Sequence, residues 1–163
     1  MNELTQLRDA VLRALQRGGL QAEPAFPEHW APDGTTPLAT VSLGAADGKN
    51  LAFCGYLGQL EDAAGRIREV YGKRLEGTIT LELRARRAGD CRQACETASA
   101  ILLGGLPEGI RPGELSWEGL VWERETELFL RRGSLRCEAL FLAQEPEDGS
   151  EFLDFMLKGV FET

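Results

Sequence analysis

The chain has 163 residues, a formal net charge of −8, 43% hydrophobic residues and 27% charged residues. This length and composition are typical of one soluble globular domain. The acidic balance disfavours nucleic acid as a partner, because affinity for nucleic acid depends mostly on lysine and arginine contacts to phosphates. No apolar run approaches the roughly 20 residues that span a bilayer, and the polar N-terminus does not resemble a signal peptide. We therefore expect a cytoplasmic protein with no membrane partner.

The first predicted element is an amphipathic helix over residues 1–19. Leucine and valine recur at helical spacing between Leu4 and Leu15, and Gly18-Gly19 favours a helix end. Residues 20–36 are predicted to form a loop, because three prolines exclude regular structure through most of this segment. An edge strand is compatible with residues 20–25.

Residues 37–163 are predicted to form the sheet and its second helix. Strands over residues 37–43 and 51–59 are predicted to pair as a hairpin, with a turn at Asp47-Gly48. Residues 61–73 are predicted to form an extended arm. The glycine in Gly72-Lys73-Arg74 is then predicted to turn the chain into the next strand.

The most regular pattern lies in residues 78–86, where apolar and polar side chains alternate strictly. A period of two predicts a β-strand with one buried face. A helix over residues 90–103 follows, with Asp90 as its N-cap and Gly104-Gly105 at its end. The remaining predicted elements are strands over residues 114–123, 127–132, 134–144 and 152–161, and a tight turn at Arg132-Gly133-Ser134.

This order of elements predicts an α+β fold in a single domain of residues 1–163. Most strands follow one another without an intervening helix, which indicates an antiparallel sheet. We expect two α-helices to pack on that sheet and an extended β-hairpin arm to project from it.

The four cysteines are Cys54, Cys91, Cys95 and Cys137, and the single histidine is His29. No CxxC pair occurs, so a structural zinc site would need an unusual ligand set. Cys91 and Cys95 share a face of the predicted helix, where a metal or redox pair is one interpretation. Packing of reduced thiols against the sheet is the favoured one.

No pattern predicts a catalytic residue, a cofactor site or a metal site. The acidic pairs lie in predicted turns, whereas acid–base catalysis needs carboxylates that converge in a cleft. Gly104-Gly105 follows a helix, whereas phosphate-binding glycine motifs follow a strand and open a helix.

Expected exposure suggests two interface patches. Trp117 and Trp122 are five positions apart, so in one regular strand they would lie on opposite faces, which leaves one free to be exposed. Core packing of both is the favoured interpretation. Tryptophan and arginine are enriched in contact patches. The interface hypothesis comprises Arg66, Arg68, Tyr71, Lys73 and Arg74 in the arm, and Trp122, Arg131 and Arg132 in a second patch.

The central part of the chain resembles the tail terminator (tail completion) proteins of long-tailed bacteriophages and their prophage relatives. The resemblance covers residues 51–143 and rests on Glu69-Val70-Tyr71-Gly72-Lys73-Arg74-Leu75, the strand over residues 78–86, the helix over residues 91–103 and residues 113–123. It implies a non-enzymatic α+β subunit that forms a homo-oligomeric ring, usually a hexamer. The ring would cap the tail tube and dock the head connector. The expected partners are therefore the tail-tube protein and the head-connector protein, and the expected final location is the virion tail.

Two alternatives stay open. In the first, the chain is another small phage tail or head–tail connector protein. In the second, it is a small ligand-binding or enzyme domain with a cleft near His29 and Trp30. A deep polar pocket beside His29 would favour the second alternative, whereas a flat surface with an arm would favour assembly. A nucleic-acid-binding module ranks last because of the net charge.

Overall fold

The computed structural model describes residues 2–28, 36–50, 55–61, 63–144 and 155–158. This part of the chain forms two helices and one mixed, mostly antiparallel sheet, so the α+β prediction is confirmed. The elements in chain order are α1 (Glu3–Arg17), β1 (Gln21–Glu23), β2 (Leu38–Asn50), β3 (Tyr56–Glu61), β4 (Ile67–Ala85), α2 (Ala88–Gly104), β5 (Ile110–Trp117), β6 (Val121–Glu123), β7 (Leu128–Gln144) and β8 (Met156–Leu157).

Three long strands organise the sheet. β4 is central, with β7 paired along one edge from Val70 to Ala85. β2 and then β3 share the other edge of β4, while β5, β6 and β8 share the outer edge of β7. The short strand β1 adds to β2 in parallel, which makes the sheet mixed.

Strand register divides the sheet into a face covered by helices and an open face. On the covered face, Ile79 of β4 lies between Leu43 of β2 and Leu135 of β7. Ile79 and Leu135 belong to the same buried core as the apolar residues of both helices. On the open face the neighbouring row is polar, with Ser42, Thr80 and Ser134 side by side.

Both helices bury an apolar stripe on the covered face. α1 begins after Asn2, whose side-chain oxygen accepts hydrogen bonds from the backbone N–H groups of Leu4 and Thr5. Leu7, Val11 and Leu15 of α1 are fully buried, and full burial of such side chains stabilises a fold by about 1.5–3 kcal/mol each. α2 places small buried residues against the sheet, which lets its axis lie close to the strands. They are Cys91, Ala94, Cys95 and Ala98.

Three predicted turns are wrong, because the chain continues there as a strand. Asp47-Gly48 lies within β2, Gly72-Lys73-Arg74 within β4, and Arg132-Gly133-Ser134 within β7. Two of these glycines make room for side chains from other strands. A Cβ atom on Gly72 would overlap Leu57, and a Cβ atom on Gly133 would overlap the Trp117 ring.

The predicted hairpin between residues 37–43 and 51–59 is also wrong. β2 and β3 do not pair with each other, and both instead pair with β4. The antiparallel partner of each is thus β4, which continues through Gly72 and is longer than the predicted strand. Residues 51–54 of the predicted strand lie outside the described part.

The predicted strand over residues 114–123 divides into β5 and β6. Trp117 is paired with Gly133 and Trp122 with Phe129, so the two tryptophans lie on the same face of the sheet. The prediction of opposite faces is therefore wrong. Trp117 packs against the core, whereas Trp122 is 54% exposed, so the favoured interpretation of core packing for both rings is wrong for Trp122.

Two further boundaries differ from the prediction. The N-cap of α2 is Arg87, so Asp90 lies in the first turn, where its charge favours the positive end of the helix dipole. Of the predicted strand over residues 152–161, the structure shows β8 at Met156–Leu157. Residues 152–154 and 159–161 lie outside the described part.

Candidate interface

The arm is a two-stranded hairpin made by β3 and the first residues of β4 (residues 56–71). β3 pairs with Ile67 to Tyr71, and within the described chain β7 reaches along β4 only as far as Val70. Ile67, beside the hairpin turn, is 68% exposed. Two-stranded ribbons are marginally stable in water, so the outer half of the arm gains little from the sheet.

The base of the arm is fixed by two tyrosines. The rings of Tyr56 and Tyr71 meet edge to face with centroids 5.7 Å apart. The Tyr71 hydroxyl donates a hydrogen bond of 2.9 Å to Glu69 Oε2. Arg66 is exposed and Arg68 half-buried further out. Three of the five proposed arm residues thus lie on the hairpin itself.

Lys73 and Arg74 lie on opposite faces of β4, just beyond the arm. Lys73 makes an ion pair with Glu3 of α1, and its Nζ lies 4.2 Å from the centroid of the Phe155 ring. Burial opposes ionisation of Glu3, but hydrogen bonding and the charge of Lys73 prevail and lower the pKa of Glu3. Arg74 lies on the open face, with its Nε 3.7 Å from Glu76 Oε1.

The second proposed patch is divided between the two faces. Trp122 packs edge to face on Phe129 with centroids 5.0 Å apart. Arg131 lies on the same face as these rings, whereas Arg132 lies on the open face with Glu82. Consecutive residues of a strand alternate between faces, so a continuous β7 separates the two arginines.

Arg131 is held by the β5–β6 connection. Its Nε donates to the Glu118 carbonyl at 2.9 Å, and its guanidinium carbon lies 5.9 Å from the centroid of the Trp117 ring. Trp117 Nε1 in turn donates to Ser99 Oγ of α2 at 2.9 Å. Arg131 therefore joins the sheet to α2, beside the exposed ring of Trp122.

A cluster of paired charges occupies one end of the open face. Arg84 is 7% exposed and donates to Glu123 Oε1 at 2.9 Å and to Glu82 Oε2 at 2.7 Å. The ring of Phe26 lies 4.8 Å from its guanidinium carbon. Arg132 approaches Glu82 from outside, with 3.4 Å between Nε and Oε1. We call these five residues the Arg84 cluster.

The charge states of the Arg84 cluster support each other. Burial disfavours the Arg84 cation, but the hydrogen bond to Glu123 and the charge of Glu82 outweigh it and raise the pKa of Arg84. The hydrogen bond from Arg84, against the effect of burial, lowers the pKa of Glu123, and the Thr126 hydroxyl adds a second hydrogen bond at 2.6 Å. Sequence analysis missed this cluster, because its members come from four separate segments.

A groove of about 560 Å³ lies further along the open face. It crosses β2, β4, β7 and β5 where β2 and β5 each depart from regular register. We call it the charged groove. It is lined by Ala45, Asp47, Glu76, Gly77, Thr78, Arg111, Pro112, Gly113, Glu114, Arg136, Cys137 and Glu138.

The charged groove contains a row of like charges. Asp47, Glu76 and Glu138 stand opposite one another on adjacent strands. Directly opposed like charges destabilise a sheet, and Arg111 of β5, which stands opposite Glu138, ends the row with the opposite charge. Glu76 has Arg74 beside it, but neither Asp47 nor Glu138 makes an ion pair with the side chains that the structure describes. No sequence signal marked this row, because strand register alone brings it together.

The described cysteines are buried free thiols, as the favoured interpretation required. Cys91 Sγ donates to the Leu83 carbonyl at 3.3 Å. Its hydrogen bond with Cys95 and its burial raise the pKa of Cys91 above the ordinary value. Burial alone raises the pKa of Cys137 to about 11. Cys91 and Cys137 therefore stay protonated at neutral pH, whereas the hydrogen bond with Cys91 lowers the pKa of Cys95.

Among the residues that the structure describes, no group of three or more His, Cys, Asp or Glu side chains is placed to hold a metal ion. None of the helices in this part of the chain is long and apolar enough to cross a membrane. His29 and Trp30, around which a ligand cleft was an alternative, lie outside the described part.

Comparison with known proteins gives little beyond this geometry. No protein-family model matches the chain, and no curated protein matches it. Among solved structures, a chain from the virion of a native gene transfer agent (GTA) particle is similar at 20% identity. The match covers 86% of this chain and 98% of that chain, with a TM-score of 0.37. A likeness with so low a TM-score carries no argument about function.

Proposed function

We propose that this chain is a non-enzymatic assembly subunit of a phage-type virion, acting like the tail terminators that its sequence resembles. Several copies, six in the pattern of that family, form a ring. The ring caps the tail tube and docks the head connector. The subunit is cytoplasmic before assembly and belongs to the virion tail afterwards.

The observation that carries this proposal is the arm. It is a two-stranded ribbon with an apolar side chain, Ile67, mostly exposed beside its turn. Among the described residues the outer part of the ribbon has no third strand and Ile67 stays in water, so the arm gains little from its own subunit. Contact with a neighbouring protein would bury Ile67 and would pair the open edge of the ribbon.

The second patch lies far from the arm. Trp122 is beside Phe129, which pairs with Ala85 at one end of β4, whereas the arm holds Ile67 at the other. At a rise of about 3.3 Å per residue, these ends are about 60 Å apart. Two distinct patches at opposite ends of a subunit suit head-to-tail contacts, which form rings when the rotation closes.

Mass photometry of the purified chain tests this proposal, alone and with the tail-tube protein of the same genome. We expect a ring, free or on the tube ends, and we expect Ile67→Lys and Trp122→Ala each to weaken it at least about tenfold. Leu103→Lys is the control, because Leu103 is an apolar side chain that is 53% exposed on α2 and belongs to neither patch.

A strict monomer at high concentration, with no binding to tail-tube protein, would contradict the proposal. Equal weakening by Leu103→Lys would also count against it, since general loss of solubility would then explain the other variants. Co-sedimentation with head-connector protein but not with tail-tube protein would instead assign the chain to the alternative role of a connector subunit.

A further inference from the structure

We propose that β8 is a latch on the outer edge of β7. It opens while the rest of the fold stays closed, and the side chain of Gln6 sets how readily it opens. The inference does not depend on the proposed assembly role, because it concerns the free subunit. It rests on the contacts of β8, which are made to one side chain of α1 as well as to the sheet.

The sheet holds β8 through the backbone of a single residue. β8 pairs with β7 at two positions, Leu157 with Phe141 and Met156 with Leu142. In an antiparallel pair, alternate residues direct their backbone N–H and C=O groups toward the partner strand. The N–H of Leu157 points away from β7, because it donates to Gln6 Oε1 at 2.9 Å. Met156 is therefore the residue of β8 whose backbone groups face β7.

Gln6 takes the place of a strand on the other edge of β8. Its Nε2 donates to the Phe155 carbonyl at 2.7 Å, and its Oε1 accepts the hydrogen bond from the N–H of Leu157. Phe155 and Leu157 are two residues apart, which is the spacing at which a neighbouring strand would bind. One side-chain amide thus satisfies as many backbone groups of this segment as the paired strand β7 can. Gln6 itself is only 8% exposed.

Side chains complete the attachment of β8. Leu157 is 1% exposed and belongs to the core. The half-buried ring of Phe155 lies 4.2 Å from Nζ of Lys73. Next to β8, Lys158 Nζ lies 3.1 Å from Glu108 Oε1, but both of these side chains are exposed, and exposed ion pairs contribute little. Leu157 is therefore the main apolar anchor of β8 among the described residues.

The main sheet does not depend on β8. β7 pairs with β4 from Val70 to Ala85, and β5 and β6 pair with other parts of its outer edge. Segments with few buried contacts open at a lower free energy than the core does. Opening of β8 would expose the backbone of Leu142 and would separate Phe155 from Lys73, a residue of the interface hypothesis.

Hydrogen exchange of backbone amides tests the latch in the free subunit, below the concentration at which rings form. The probes are the amide of Met156, which faces β7, and the amide of Leu81 in the centre of β4. We expect the protection factor of Met156 to be at least about tenfold lower than that of Leu81. Low concentrations of urea should change it little, because opening of β8 exposes little surface.

Gln6→Leu tests the role of the glutamine. The Met156 amide does not point to Gln6, so its exchange reports the opening of β8 and not merely the loss of one hydrogen bond. We expect it to exchange about tenfold faster in this variant, with Leu81 changed by under about twofold. The matched control is Gln16→Leu, because Gln16 lies on the same helix and donates to the Ala22 carbonyl of β1 at 3.0 Å. It should leave the exchange of Met156 as in wild type.

Either of two results would overturn the latch. If Met156 and Leu81 show the same protection and the same urea dependence, β8 opens only when the whole chain unfolds. If Gln6→Leu accelerates Met156 no more than Gln16→Leu does, or accelerates Leu81 by the same factor, Gln6 does not hold β8 specifically. Neither result bears on ring formation, and a chain that forms no ring leaves the latch standing, so the two proposals fail separately.

Discussion

The open face of the sheet carries two charged regions that differ in how their charges are satisfied. In the Arg84 cluster a buried cation contacts two carboxylates and lies under the ring of Phe26. In the charged groove, Asp47 and Glu138 have no ion-pair partner among the described side chains. The charges of the first region are paired within this chain, whereas Asp47 and Glu138 of the second are not paired with any described side chain.

This difference follows from how far other parts of the chain cover each charged region. The segment that precedes β2 places Phe26 over Arg84, so water is excluded there and each charge needs a partner. The charged groove has no such cover in the described structure, so its charges remain hydrated and do not have to be paired. Substitutions in the cluster should therefore change stability more than substitutions in the groove.

The largest expected effect is that of Arg84→Met. It leaves Glu82 and Glu123 facing each other without their shared cation, which should lower the free energy of unfolding by about 2–3 kcal/mol. Urea denaturation at pH 7 measures it. The matched control is Arg132→Met, whose side chain is 49% exposed and whose loss should change stability by under about 1 kcal/mol. Equal effects of the two substitutions would remove the distinction between buried and exposed members of the cluster.

A smaller effect is expected from acid. Because the folded-state pKa of Glu123 is lowered, its stabilisation is complete above the ordinary value of 4.5 and is lost as the pH falls through the lower folded value. Glu3 contributes with the same sign. The difference in unfolding free energy between wild type and Glu123→Gln, measured from pH 7 to pH 3, should therefore shrink at low pH. A difference that stays constant would show that the Glu123 charge has no role.

Removal of the aromatic cover should have an effect of the next size. Phe26→Ala exposes the Arg84 guanidinium to water and removes a cation–π contact, with an expected loss of about 1–2 kcal/mol. A double-mutant cycle with Arg84→Met tests the cause, because the effect of Phe26→Ala should fall when the cation is absent. An unchanged effect in the Arg84→Met background would assign Phe26 to apolar packing alone.

The smallest expected effect is on the stability of a groove variant. Glu138→Gln removes a carboxylate that stands between Glu76 and Arg111, so its lost repulsion and lost attraction offset each other and stability should change by under about 1 kcal/mol. The same urea assay measures it, at a concentration below that of ring formation. A loss comparable to that of Arg84→Met would place the groove carboxylates among the groups that hold the fold, and the contrast between the two regions would fail.

Local patterns predicted the individual elements well where one face alone is buried. The alternation in residues 78–86 identified the inner half of β4, and the apolar stripe from Leu4 to Leu15 identified α1. Glycine was the main source of error. Gly72 and Gly133 carry the local signal of a turn, but their missing side chains make room for Leu57 and Trp117 from other strands.

The candidate interface was likewise predictable from the sequence only in part. Basic residues in an exposed arm are visible in the sequence, and Arg66 and Arg68 do lie on the hairpin. The pairing of Arg131 with Arg132 in one patch rested on expected exposure, and the continuous strand β7 puts them on opposite faces. The charged groove was not predictable, since its acidic row joins residues far apart in the chain.

By itself the sequence determined the class of this protein: the α+β composition of its elements, two helices with one apolar stripe each, and an acidic surface. These properties depend on contacts between residues close in the chain, where periodicity is enough. The tertiary structure decided which strands pair and which charges are paired. Those depend on strand register, and a shift of one residue moves every side chain to the other face.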